Sequence, residues 1–193
     1  MTDDAAIRAT PASNAPATYD ALEIACHWAT VLLVVVLYLL GQFWGFAPRG
    51  PARAALHTLH VELGLALILV LAVRIAWRLG PGRRLPPADR GLVAWAAQAM
   101  YYALYALLII QVCLGIPLRW AEQDPLSVFG LFTIPNLPGL TKQSADAIGE
   151  WHELVANLII LLAGLHALAA LFHHFVLRDG VLRRMLPWLA PPR

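Results

Sequence analysis

The segment WHELVANLIILLAGLHALAALFHHFVL, residues 151–177, has no Asp, Glu, Lys or Arg between Glu153 and Arg178, and it sets histidines at positions 152 and 166. Fourteen residues of α-helix rise about 21 Å and turn about 1400°, so both imidazoles fall on nearly the same face, one near each side of a hydrocarbon core about 30 Å thick. Ionisable side chains inside a bilayer are costly and turn toward a bundle interior. The segment therefore reads as a membrane-spanning helix that offers one ligand to each of two stacked, buried sites.

The rest of the chain supports a membrane setting. Of 193 residues, 60% are hydrophobic and only 13% charged, a balance no soluble domain of this size needs. Three further apolar stretches complete an all-α, integral membrane four-helix bundle. Its helices are expected at about 20–46, 55–79, 91–118 and 147–177, within one domain covering 19–187. A polar tail, 1–18, expected to be disordered, precedes the domain, and a short tail, 188–193, follows it. The beginning lacks the basic region, apolar run and small-residue cleavage site of a signal peptide, so the first helix is expected to insert the protein. Phe43-Trp44-Gly45-Phe46 before Pro48 is an aromatic interface signature at the end of the first helix, and Gly80-Pro81-Gly82 stops the second. The third contains no histidine. Between Arg119 and Asp146, three prolines and two glycines predict an ordered extramembrane loop that caps a site. Cys26 and Cys113 lie in apolar segments with no C-x-x-C or C-x-x-C-H spacing, and read as packing residues. The net charge of +2, with cations clustered in loops beside apolar runs, excludes nucleic acid as a partner.

Counting Lys and Arg sets the orientation. Arg8, Arg78, Arg83, Arg84, Arg90, Arg178, Arg183, Arg184 and Arg193 lie on the side of the termini, against Arg49, Arg53, Arg119 and Lys142 on the other. The positive-inside rule places both termini in the cytoplasm and the long loop outside.

The seven histidines sort by depth. His27, early in the first helix, matches His166 in the descending fourth; His60, near the start of the second, matches His152. His57 competes with His60 from one turn earlier, and Gly64, four residues after His60, offers room for a flat ligand. A four-histidine zinc or copper site would need its ligands at one depth, whereas these levels lie about 21 Å apart by helical rise. Two imidazoles on opposite faces of a porphyrin make a six-coordinate b-type haem suited to electron transfer. The expected cofactors are two haem b groups, paired His27/His166 and His60/His152. Arg74, fourteen residues after His60, reaches the level of His166, where it either pairs with a haem propionate or snorkels to the interface. His173, seven residues after His166, shares its face about 10 Å nearer the cytoplasm, a place for proton handling, while one residue of the His173-His174 pair reads as interfacial. Gln98, Gln111 and Asn157 are expected to make interhelical hydrogen bonds.

His27-Trp28, Leu59-His60-Val61-Glu62-Leu63-Gly64, Trp151-His152-Glu153, Gly164-Leu165-His166-Ala167, His173-His174 and Arg183-Arg184-Met185-Leu186-Pro187, in this order, resemble the prokaryotic cytochrome b561 family over about 19–187. The resemblance implies a bacterial inner-membrane, di-haem bundle with ligation by His27, His60, His152 and His166. It also implies electron exchange with ubiquinone and, as attributed to some members, superoxide oxidation at the outer face.

The expected function is thus an oxidoreductase passing electrons through two bis-histidine haems to or from ubiquinone, with superoxide as candidate donor and His173 as the quinone-side candidate. If superoxide is the donor, the four outer cations are candidates for steering it. Expected partners are membrane lipid and quinone, with a second copy of the chain or a redox subunit as further candidates. The rivals are a haem b anchor subunit of a dehydrogenase or hydrogenase, and a haemless, histidine-rich metal transporter.

Overall fold

The computed structural model describes residues 18–136 and 139–189. The polar tail expected at 1–18 lies almost wholly outside the described residues, as do 190–193.

Helix α1, Ala21–Phe43, starts where the Asp20 carboxylate accepts the Glu23 N–H at 3.0 Å. This bond satisfies one of the amides that a helix start leaves without a partner. It runs into a 3₁₀ turn, Trp44–Phe46, ahead of Pro48. Helix α2, Pro51–Leu79, begins four residues earlier than expected, because Pro51 at its first position has the φ a helix wants and no N–H to waste. It stops at Gly80-Pro81-Gly82, where the Gly82 N–H donates to the Trp77 carbonyl at 2.8 Å. A Cβ on Gly82 would lie 2.7 Å from that oxygen, so only glycine fits the turn. Helix α3, Gly91–Ala121, runs through Pro117 and ends three residues beyond the expected boundary. Helix α4, Lys142–Phe172, starts five residues before the expected one. Thr141 and Ser144 form a reciprocal capping box there, a start signal that the charge count overlooks. Its last turn widens into a π-turn, His173–Leu177, closed by Arg178 at φ 54°.

The connection between α3 and α4 is therefore shorter than the expected 119–146. It contains a hairpin of β1, Leu126–Val128, and β2, Phe132–Ile134, antiparallel with Ser127 opposite Thr133. Phe129 and Gly130 take positive φ at its tip. The completely buried Ala121 and the nearly buried Leu126 seat this connection on the bundle.

Among the described residues, four helices are long and apolar enough to cross a bilayer. Large apolar side chains such as Leu32, Leu39, Leu69, Leu161 and Leu168 point outward, the arrangement lipid requires and water forbids. Helix α1 lies along α2, and α3 along α4, while the two hairpins meet each other sparingly. Between them Leu71, Leu108, Val155 and Ile159 form a small core. Ile159 is seven residues from His152 and seven from His166, so this core lies midway between the histidine levels.

Candidate haem-binding sites

At the level farther from the termini, α2 presents His60 and α4 presents His152, with ring centroids 6.3 Å apart and planes at 65°. A metal sits about 2 Å from a ligating imidazole nitrogen, itself about 1.1 Å from the ring centre, so two imidazoles flanking one metal need centroids about 6.3 Å apart. Glycine clears the flanks: a Cβ at Gly41 would stand 3.8 Å from His60 Cε1, and one at Gly115 3.5 Å from His152 Cε1. Gly64 has nothing within 4 Å of where its Cβ would be. These residues line a cavity of about 910 Å³ between the hairpins, at the upper end of the range for small-molecule and cofactor sites. Trp44 packs edgewise on His60 at 5.1 Å, and the Gln111 amide donates to His152 Nε2 at 3.0 Å. The Nδ1 atoms of His60 and His152 are buried without partners. The donor set, its spacing and the cleared space all fit a b-type haem.

His57 does not compete for this place. Arg119 donates to its Nδ1 at 3.1 Å, and its Nε2 lies 3.7 Å from Glu122. Arg119 also binds Asp124 at 2.7 Å. His57 thus belongs to a charged cluster at the cavity mouth that ties α2 to α3. Arg53 is likewise committed, donating to the carbonyls of Gly45 and Ala47. Two of the four cations expected on the side away from the termini are therefore structural fixtures.

At the level nearer the termini, α1 presents His27 and α4 presents His166, with centroids 6.4 Å apart at 66°. The spacing matches the other pair and fits the same group. Arg74 is half-buried and donates to His27 Nδ1 at 3.1 Å, with its guanidinium 5.1 Å from the Tyr105 ring centre. It therefore turns into the bundle rather than snorkelling outward. Arg74 Nε and the Tyr105 hydroxyl are buried without partners. Among the described residues no group of three or more His, Cys, Asp or Glu could hold a metal ion together. The histidines come as two pairs.

Below this level the chain closes on itself. His173 Nδ1 lies 2.6 Å from Asp179 and its Nε2 3.8 Å from Asp89, joining the end of α4 to the α2–α3 connection, while His174 is buried. Asp20 accepts from Glu23 N–H, from the Trp77 indole at 2.9 Å and from Arg83 N–H at 3.0 Å. Desolvation pushes the Asp20 carboxyl upward, but the Arg83, Glu23 and Trp77 donors outweigh it and hold the group below its usual range.

The structure brings together His27 with His166 and His60 with His152, the pairs expected from sequence, and sets Arg74 beside His27. Gln111 bonds across to α4, and Asn157 accepts from Tyr38 on α1 at 2.9 Å, as expected; Gln98 instead is exposed. Sequence reading missed Tyr105, Trp44, Asp20 and Glu23. For Glu23 a signal existed, four residues before His27 and hence on the same helical face.

A bundle of four membrane-spanning helices carrying two stacked histidine pairs has the construction of a membrane-embedded cytochrome. The chain belongs to the prokaryotic cytochrome b561 family, whose model matches residues 18–188. It is 32% identical over 170 residues to "Probable superoxide oxidase CybB" of Yersinia pestis, covering 88% of this chain and 96% of that one. It is 30% identical over 182 residues to "Cytochrome b561 homolog 2" of Escherichia coli K12, covering 90% and 94%. It is 34% identical over 177 residues to "Cytochrome b562" of Cereibacter sphaeroides, covering 87% and 94%. Membership makes the protein a bacterial membrane cytochrome with an electron-transfer role, and it implies b-type haem.

Proposed function

We propose that the protein is a superoxide:ubiquinone oxidoreductase of the bacterial inner membrane, with both termini cytoplasmic and two haem b groups held by His60/His152 and His27/His166. The observation that carries this reading is the pair of matched separations, 6.3 and 6.4 Å, at two levels on one helix. The relative named a probable superoxide oxidase supports the donor, and the excess of Arg on the terminal side supports the orientation.

When bound, haem supplies reversible one-electron exchange. The chain's own residues supply the rest. The four histidines orient the two sites, and glycines at 41, 64 and 115 keep the outer flanks clear. Arg74 sets positive charge beside the inner pair, where it would balance a propionate. Superoxide, small and soluble, gives up its electron at the outer face and leaves as O₂. Two such events supply the two electrons that ubiquinone takes with two protons to become ubiquinol. His173, tied to Asp179 at the terminal face, is the candidate for the quinone side.

The test is a reduced-minus-oxidised spectrum with haem quantified per chain, followed by superoxide consumption with a soluble ubiquinone analogue. Two low-spin haems per chain and quinone reduction that depends on superoxide are expected. Zero or one haem overturns the ligand pairing, and two haems without superoxide-dependent reduction overturn the donor. Quinone reduction unchanged in His173→Ala, with intact haem spectra, removes His173 from the quinone side.

A further inference from the structure

Glu23 is a carboxylate on a membrane helix that the scheme above leaves without a task. It is only 5% exposed, and its Oε2 is buried with no hydrogen-bond partner. The nearest cation is Arg78 on α2, whose Nη1 stands 3.7 Å from Oε2, close enough for attraction and too far for a hydrogen bond. A buried carboxylate left short of donors is costly, and such a group in a folded protein calls for an explanation. Asp20, one turn earlier, is the opposite case: its oxygens are taken up by Glu23 N–H, Trp77 and Arg83 N–H. Of the two carboxylates at this end of α1, Glu23 is the one with an open lone pair.

The surroundings lead from the terminal face toward the inner histidines. Glu23 is faced by Asp20 at the start of its own helix, by Arg78 and Arg74 from α2, and by Tyr105 from α3. Arg78 lies beside the rings of Tyr19 and Tyr101, Tyr101 packs against Tyr105 with ring centres 4.8 Å apart and planes tilted by 53°, and Arg74 reaches from Tyr105 to His27. The Tyr105 hydroxyl and Arg74 Nε are buried and also lack partners. Polar atoms from three helices thus converge at one level with hydrogen-bonding capacity to spare. A structural ion pair has no need of that excess.

We infer that Glu23 takes up a proton from the terminal face when an electron arrives at the His27/His166 level, and releases it when the electron leaves. The inference rests on the proposed function, which brings electrons to that level. The balance is simple: one electron adds one negative charge, one proton joins the Glu23 carboxylate to give the neutral acid, and the local charge is unchanged. Both return when the electron passes to quinone, which needs one proton per electron. Glu23 touches neither donor nor acceptor, so it is a positioning residue for charge.

The test uses the haem-loaded protein in detergent or lipid nanodiscs. Each haem potential is measured against pH in wild type, Glu23→Gln and Glu23→Asp. In wild type, the potential of the haem lost in His27→Ala falls as pH rises; Glu23→Gln abolishes that fall and leaves the other haem unchanged, and Glu23→Asp restores it. A pH dependence identical in wild type and Glu23→Gln, with both haems spectrally intact, overturns the inference. Should Glu23→Gln fail to load haem, the reduced-minus-oxidised infrared difference spectrum of the wild type decides. A protonated-carboxyl band that grows on reduction and moves in Glu23→Asp is expected, and its absence overturns the inference. A chain that binds no haem defeats the proposed function instead, so the two failures are distinguishable.

Discussion

Replacing one histidine at a time separates ligands from neighbours. On the proposed ligation, His60→Ala or His152→Ala should lower the haem content from two per chain to one while leaving the other haem low-spin, as read by haem extraction and visible spectroscopy. His57→Ala should keep both, because its imidazole is taken up by Arg119 and Glu122 at the cavity mouth. From sequence His57 competes with His60 from one turn away, and Gly64 favours His60; the partner that takes up His57 lies on α3, sixty-two residues from it, and no local pattern reveals it. Asp20 makes a second prediction at this scale. Asp20→Ala removes a helix cap and should cost about 1 kcal/mol. Because the folded carboxyl is held below its usual range, its contribution is present above the unfolded-state value and is lost as pH falls through the folded one. Thermal unfolding in detergent should therefore show wild type and Asp20→Asn converging in acid and diverging toward neutral pH.

The elements show why depth was legible and detail was not. Helical rise is fixed at about 1.5 Å per residue, so counting along an uncharged run gives the level of every side chain. That arithmetic found the four paired histidines and the level of Arg74. It could not find which neighbour each side chain meets, because that depends on rotation and helix pairing, nor the capping box that moved the start of α4 back to Lys142. Helix α3 illustrates the gap. It has no histidine, yet its Gly115 backs His152 and its Gln111 bonds to it. Gly115→Leu should press into the His152 ring and cost about 1–3 kcal/mol through overpacking. With the proposed pair of haems, counting should then show selective loss at the His60/His152 level and retention at the His27/His166 level.

For the whole molecule, the weakest seam is the one the cofactors would span. Each hairpin is well packed internally, while the two meet more sparingly, through the central core, the paired histidines and side-chain links such as Tyr38 to Asn157 and Arg119 to His57. A ligand that binds only the folded state stabilises it in proportion to RT ln(1 + [L]/Kd), roughly 4 kcal/mol at a thousandfold excess over Kd. Haem-loaded protein should accordingly melt well above protein expressed under haem limitation. A double variant, His27→Ala with His60→Ala, should melt like the haem-limited form. Equal melting temperatures in all three would mean that the seam closes without a ligand.

The core of Leu71, Leu108, Val155 and Ile159 sits halfway along this seam, without a polar atom on its side chains. Electrons tunnel across such a gap, but a proton needs a chain of water or hydrogen-bonding groups, and none of these four residues supplies a link. The plug therefore acts as an insulator for one carrier and not the other. In the proposed function, where electrons pass between the two histidine levels, it would let the molecule carry charge across the membrane without short-circuiting the proton gradient that the same membrane maintains.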